Sequence, residues 1–116
     1  MTAFRDLTKA LYSLGLTPNA TTFYLESYRL GKATIGKVAE KAGMDRSSAY
    51  LACKQLREAG LLEEALSAGV TVIWAKTPNA VLSRLRAETR RFRAQTESLE
   101  GVLPELMAEY AASSHK

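Results

Sequence analysis

The sequence predicts a mainly α fold carrying one small β-hairpin, and three observations carry that reading. Helical periodicity framed by cap and stop residues recurs four times before Gly60. A run rich in β-branched residues, Val70 to Ala75, then follows a turn containing Gly69. Finally, one long helical pattern runs from Pro78 to about Ala112.

With 116 residues, 47% of them hydrophobic and 24% charged, the chain has the size and composition of one globular domain plus an appended element. We divide it into a body over 1–77 and a long C-terminal helix over 78–116, ending in a frayed SSHK tail. Net charge is +4 and the pI is near 9.4, which favours an anionic partner. One cysteine excludes an internal disulfide, and with the single histidine, His115, it leaves no zinc set. No metal or other cofactor is expected. No apolar run is long enough to span a bilayer, and the N-terminus lacks a signal-peptide core, so a cytoplasmic protein is expected.

The first helix, Phe4 to Leu14, sets Leu7, Ala10, Leu11 and Leu14 on one face, and Gly15 closes it. Thr17 then caps a second helix with Pro18 at its first position and Ala20, Tyr24, Leu25 and Tyr28 as its inward stripe up to Gly31. Ala20 stands where a capping box would place Glu, so half of that device is missing.

The segment from Thr34 to Leu61 has the spacing of a helix-turn-helix. Thr34 caps the first of its two helices, and Ile35, Val38, Ala39 and Ala42 give that helix an apolar face. Ala39 is small enough for a second helix to cross close by. Gly43 occupies the stop, where positive φ is needed, and Met44 turns back toward the core. Asp45 caps the second helix, whose inward stripe is Ala49, Ala52, Cys53 and Leu56.

Its outward face carries Arg46, Ser47, Ser48, Tyr50, Leu51, Lys54, Gln55 and Arg57. Hydroxyls and amides gathered near a helix start suit base edges in a major groove, and the cations suit phosphates. With Thr34, the residues Arg46, Ser47, Ser48, Tyr50, Leu51, Lys54 and Gln55 form the candidate DNA-facing set.

The runs LLEEAL and VTVIWA flank Ser67, Ala68 and Gly69 and form a hairpin, the wing of a winged helix-turn-helix. Its tip holds neither Arg nor Lys, and Lys76 is the nearest cation in the second strand. The wing is therefore expected to contribute packing, with Trp74 anchoring it to the core.

In the long helix, Leu82, Thr89, Thr96, Leu103 and Tyr110 fall at heptad position a, and Leu85, Phe92, Leu99 and Leu106 at d. This seam favours a coiled-coil homodimer over a helix that folds back on its own domain, since a helix of about 50 Å outruns so small a core. Glu88 at g and Arg93 at the following e would attract one another in a parallel pair. Pro104 is expected to interrupt or kink the helix. Arg84, Arg86, Arg90, Arg91 and Arg93, clustered near its start, read as a solvated, pairing face rather than phosphate contacts.

The runs LGLTPNATTFYL, ATIGKVAEKAGMDRSSAYLACKQLREAGLL and TVIWAKTP, followed by a long helix containing LPEL, resemble the TrmB-like winged helix-turn-helix transcriptional regulators of archaea and bacteria. The likeness spans nearly the whole chain. Its most specific pieces are Leu14 to Thr17, Arg46 to Tyr50, and the Gly60, Leu61 exit. The resemblance implies a homodimeric regulator with Arg46, Ser47, Ser48, Tyr50 and Lys54 facing double-stranded DNA. Leu51 stands where a basic residue is common, Cys53 where a larger aliphatic is usual, and the wing lacks its usual cations. Larger relatives continue into a sugar-sensing domain, and none is expected after this helix.

A winged-helix module that docks protein, with the long helix recruiting a partner chain, is the alternative function. An enzyme is not expected, because no nucleophile and base set, Gly-rich phosphate loop or metal spacing occurs. Cys53, on the inward stripe, reads as a small core residue rather than a redox sensor.

Overall fold

The computed structural model describes residues 2–114, so His115 and Lys116 of the tail lie outside the described residues. In chain order the elements are α1 (Thr2–Ser13), α2 (Pro18–Leu30), α3 (Ile35–Ala42), α4 (Arg46–Glu58), β1 (Leu62–Ser67), β2 (Val70–Ala75) and α5 (Pro78–Ser114). This is a winged helix-turn-helix with a long C-terminal helix, as the sequence predicts. By contacts the chain forms two units, 1–85 and 86–116.

Three helices of the first unit stop the same way. At Gly43 the backbone turns left-handed (φ 70°), and the Met44 N–H donates back to the Ala39 carbonyl at 3.0 Å while Gly43 donates to Glu40 at 3.2 Å. These paired bonds satisfy carbonyls that the helix end would otherwise leave open, and an apolar residue follows to seal the turn. The same pattern ends α1, with Leu16 donating to Leu11, and α4, with Leu61 donating to Leu56. Leu16 and Leu61 are buried, so each stop also feeds the core. A glycine followed by an apolar residue is thus the sequence sign of each helix end.

The core gathers Leu11, Ala20, Phe23, Tyr24, Val38, Ala49, Cys53, Leu56, Leu61 and Ile73, all fully buried. On α2 the inward stripe is Ala20, Phe23, Tyr24 and Ser27. Tyr28, expected there, is instead 44% exposed and packs edge-on against Phe4. The stripe is rotated by about one residue from the expected phase, because the buried polar Thr21 and Ser27 hide its true centre.

The wing is an antiparallel pair with Leu62 opposite Ala75 and Ser67 opposite Val70. Ser67 belongs to the strand, leaving a two-residue turn in which Ala68 (φ 51°) and Gly69 (φ 78°) are both left-handed. That is the turn geometry matched to strand twist. Ala33 adds a third, single-residue rung, exchanging hydrogen bonds with Ile73 at 3.0 and 2.7 Å.

Ile73, not Trp74, anchors the wing. Strand alternation sends Ile73 into the core and Trp74 to the opposite face, where its Nε1 donates to Glu63 at 3.0 Å and Lys32 sits 4.8 Å above the ring. The Tyr24 hydroxyl closes the base of the wing by donating to the Lys76 carbonyl at 2.8 Å. Burial pushes the Tyr24 phenol up to about 12.

Helix α5 begins inside the first unit, where Val81 is buried and Ala80 packs beside it. It continues as one helix through Pro104 to Ser114, with the proline inside it. The proline has no N–H to donate to the Glu100 carbonyl, so the ladder is interrupted at that rung, and it lies at heptad position b, away from the a and d seam. Ser113 is part of the helix rather than a frayed tail, its hydroxyl donating to the Glu109 carbonyl at 2.8 Å.

Candidate nucleic-acid interface

Helix α4 is held at three places. At its start the Asp45 carboxylate accepts from the Ser48 N–H at 2.9 Å, and hydrogen bonding to the Ser48 side chain first and its backbone second holds the Asp45 carboxyl below its ordinary value. Near its end Arg57 pairs with Glu64 of β1 at 2.9 Å. In between, the Gln55 side-chain oxygen accepts from both the backbone N–H and the hydroxyl of Thr17, each at 3.1 Å.

The Gln55 contact supplies what α2 lacks. A capping box needs an acceptor for the N-cap N–H, and Ala20 cannot provide one. The Thr17 hydroxyl accepts from Ala20 at 3.1 Å, and Gln55 reaches across from α4 to complete the box. The two helices are thereby fixed to each other by a polar contact outside the core.

Ala49, Ala52, Cys53 and Leu56 bury the inner face of α4, with Ala39 of α3 also buried beside them. Small residues at this crossing let the two helices approach closely. Burial raises the Cys53 thiol above its ordinary value, which keeps it neutral.

The outer face presents Arg46, Ser47, Tyr50, Leu51 and Lys54 to solvent, Leu51 at 69% exposure. Ser47, Tyr50, Leu51 and Lys54 share one stripe by their spacing of three and four. Among the described residues, neither Arg46 nor Lys54 makes an ion pair with a carboxylate. Ser48 and Gln55 are half-buried. Thr34 is apart from this stripe at the head of α3, its hydroxyl accepting from the Lys37 N–H at 3.2 Å.

A groove of about 430 Å³ runs between α4 and the start of α2, bordered by Ser48, Leu51, Lys54 and Gln55 on one side and by Thr17 and Asn19 on the other. Asn19 was not singled out from the sequence. The Thr17, Pro18, Asn19 helix start beside a helix-turn-helix is the signal that could have marked it, because the positive end of a helix dipole attracts anions.

At the wing tip Leu66 is 75% and Val70 50% exposed, and no cation stands between them. Among the described residues no cluster of His, Cys, Asp and Glu is placed to hold a metal ion, and no helix is long and apolar enough to cross a membrane.

A seated second helix, an adjacent hairpin and a trailing long helix define the winged helix-turn-helix class, and solved structures share that arrangement. The structure of TrmBL2, described as an archaeal chromatin protein with a novel mode of DNA binding, aligns with a TM-score of 0.75 at 15% identity. That alignment covers 98% of this chain but only 44% of TrmBL2. A MarR family transcriptional regulator from Silicibacter pomeroyi aligns at 0.56 and 17% identity, covering 97% of this chain and 83% of the other. A possible transcriptional regulator from Methanosarcina mazei Go1 aligns at 0.58 and 16% identity, covering 83% and 88%. No protein-family model and no curated protein sequence matches the chain.

Proposed function

We propose that the chain is a DNA-binding transcriptional regulator that acts as a homodimer, with the first half of α4 in the major groove. The observation that carries this reading is the outer face of α4: a rigidly seated helix exposing Arg46 and Lys54, neither committed to a carboxylate, beside Ser47 and Tyr50. Such a face gives cations to phosphates and small polar groups to base edges. Leu51 supplies the apolar surface that a thymine methyl accepts. The fold likeness to transcriptional regulators, and to a protein named for DNA binding, supports the same reading.

In this proposal the body over 1–77 binds DNA and the helix over 78–116 pairs two copies through Leu82, Leu85, Thr89, Phe92, Thr96, Leu99, Leu103 and Leu106. Thr34 serves chiefly by capping α3, Ser48 offers its side chain to the DNA groove while Asp45 holds its backbone N–H, and Gln55 fixes α4 to α2, which leaves its amide nitrogen for DNA. A twofold dimer calls for a palindromic operator with half-sites about 10 base pairs apart or a multiple of that. In this reading the protein works in the cytoplasm, with no cofactor and no catalytic step.

Selection of bound sequences from a random duplex pool tests the proposal, with an Arg46→Ala, Lys54→Ala double variant as control. Enrichment of a palindrome by the native chain alone is the expected result. Lys54→Ala should weaken binding on all sequences and lower the salt slope by about one. Exposed Leu51 and the cation-free wing tip favour a second reading, a protein-docking winged helix, and a native chain that enriches no sequence would select it.

A further inference from the structure

We propose that α5 pairs with α5 of a second copy in antiparallel orientation, with Thr89 against Leu99 of the partner subunit and Phe92 against Thr96 of the partner subunit. This rests on the homodimer reading above and specifies its geometry.

The apolar seam of α5 is uncovered within the chain. Phe92 is 58% exposed, Leu99 56%, and Leu103 and Leu106 45% each. From Arg86 to Ser113 no described residue is buried. A seam of this length at heptad spacing is the surface a second helix covers.

The distribution of charge between the two halves of the helix favours one direction. Between Arg84 and Arg93 lie five arginines and a single acid, Glu88, whereas Glu97, Glu100, Glu105 and Glu109 follow with no cation from Ala94 to Ser114. A parallel pair sets arginine half against arginine half and glutamate half against glutamate half. An antiparallel pair sets each against its opposite. The Glu88 and Arg93 pair that would favour the parallel arrangement is weakened, because Glu88 already holds Arg91 of its own helix at 2.6 Å.

Side-chain volume agrees. In a parallel pair position a meets position a, so Thr89 and Thr96 form two layers of paired threonines in the seam. In an antiparallel pair a meets d, and each threonine is filled by a large residue, Leu99 or Phe92. The same register places Leu85 on Leu103 of the partner subunit and Leu82 on Leu106 of the partner subunit. On the flank, Arg86 meets Glu100 of the partner subunit. The one like-charge contact is Arg93 with Arg93 of the partner subunit near the twofold axis, at a solvated edge where screening keeps its cost small.

Disulfide trapping in the full chain tests the orientation. In a Cys53→Ala background, the Thr89→Cys and Leu99→Cys variants are oxidised in a glutathione redox buffer, separately and after mixing and subunit exchange. We expect the mixture to give a cross-linked dimer joined from 89 to 99, at least tenfold faster than either variant alone. In the antiparallel register identical positions lie about 15 Å apart, beyond the reach of a disulfide.

Self-linking of each single variant as fast as the mixture would establish a parallel pair and overturn the proposal. A dimer by sedimentation that links in neither case places the interface elsewhere and overturns it equally. A monomer by sedimentation at tens of micromolar defeats the homodimer reading itself, a separate failure. Should either substitution prevent folding, Leu85→Cys with Leu103→Cys reads the same register.

Discussion

The body up to Leu85 and the segment from Arg86 onward use apolar residues in opposite ways. In the body they converge: α1 to α4, the wing and the first turns of α5 enclose a core in which Phe23, Tyr24, Leu56 and Ile73 lose all contact with solvent. In the later segment they line up along a rod, and Phe92, Leu99, Met107 and Tyr110 each remain more than half exposed. Apolar periodicity is equally clear in both. It marks which face of a helix wants cover, while topology decides whether the same chain provides it.

The comparison breaks most readily with alanine scanning. Leu56→Ala should cost about 3 kcal/mol in denaturant unfolding of the body, whatever the protein concentration, because it opens a cavity in a closed core. Leu99→Ala should change the unfolding of dilute protein by less than about 0.5 kcal/mol and act instead on the concentration at which chains associate. Equal, concentration-independent losses from both would erase the distinction.

Tyr24 sharpens it on the body side. Its phenol is raised from an ordinary 10.0 to about 12, so the folded state holds the proton more tightly than the unfolded chain. The associated stability is complete below pH 10.0 and disappears as pH climbs to about 12. A loss on the order of 2 kcal/mol is expected over that window, absent in Tyr24→Phe, read from urea midpoints at stepped pH.

Gln55→Ala should remove about 1 kcal/mol by opening the N-cap of α2. Gln55→Glu keeps the acceptor and should hold stability near native while weakening duplex binding, since it adds an anion to the outer face of α4. A Gln55→Glu variant that binds duplex normally would remove Gln55 from the DNA surface. The smallest effect is at the wing: Ala68→Asn should stabilise by about 0.5 to 1 kcal/mol, because asparagine tolerates the left-handed backbone that alanine resists. Thermal unfolding resolves that difference.

Much of the body was legible because its signals are local. Thr17, Thr34 and Asp45 each cap the helix expected of them, and Gly15, Gly43 and Gly60 each stop one. The inner face of α4 lies where its spacing places it. Legibility failed where two faces competed: on α2, polar Thr21 and Ser27 disguised the stripe, and on β2 both faces are apolar, so alternation alone left Ile73 and Trp74 undecided.

By itself, then, the sequence determined the helices, their caps and stops, the hairpin and the seam of α5, because each depends on residues within a turn or two of one another. Only the tertiary structure decided that Ile73 enters the core through its rung with Ala33, and that Gln55 completes a cap begun by Thr17. Those contacts join residues far apart along the chain, and no local preference encodes a partner that only folding brings within hydrogen-bond reach.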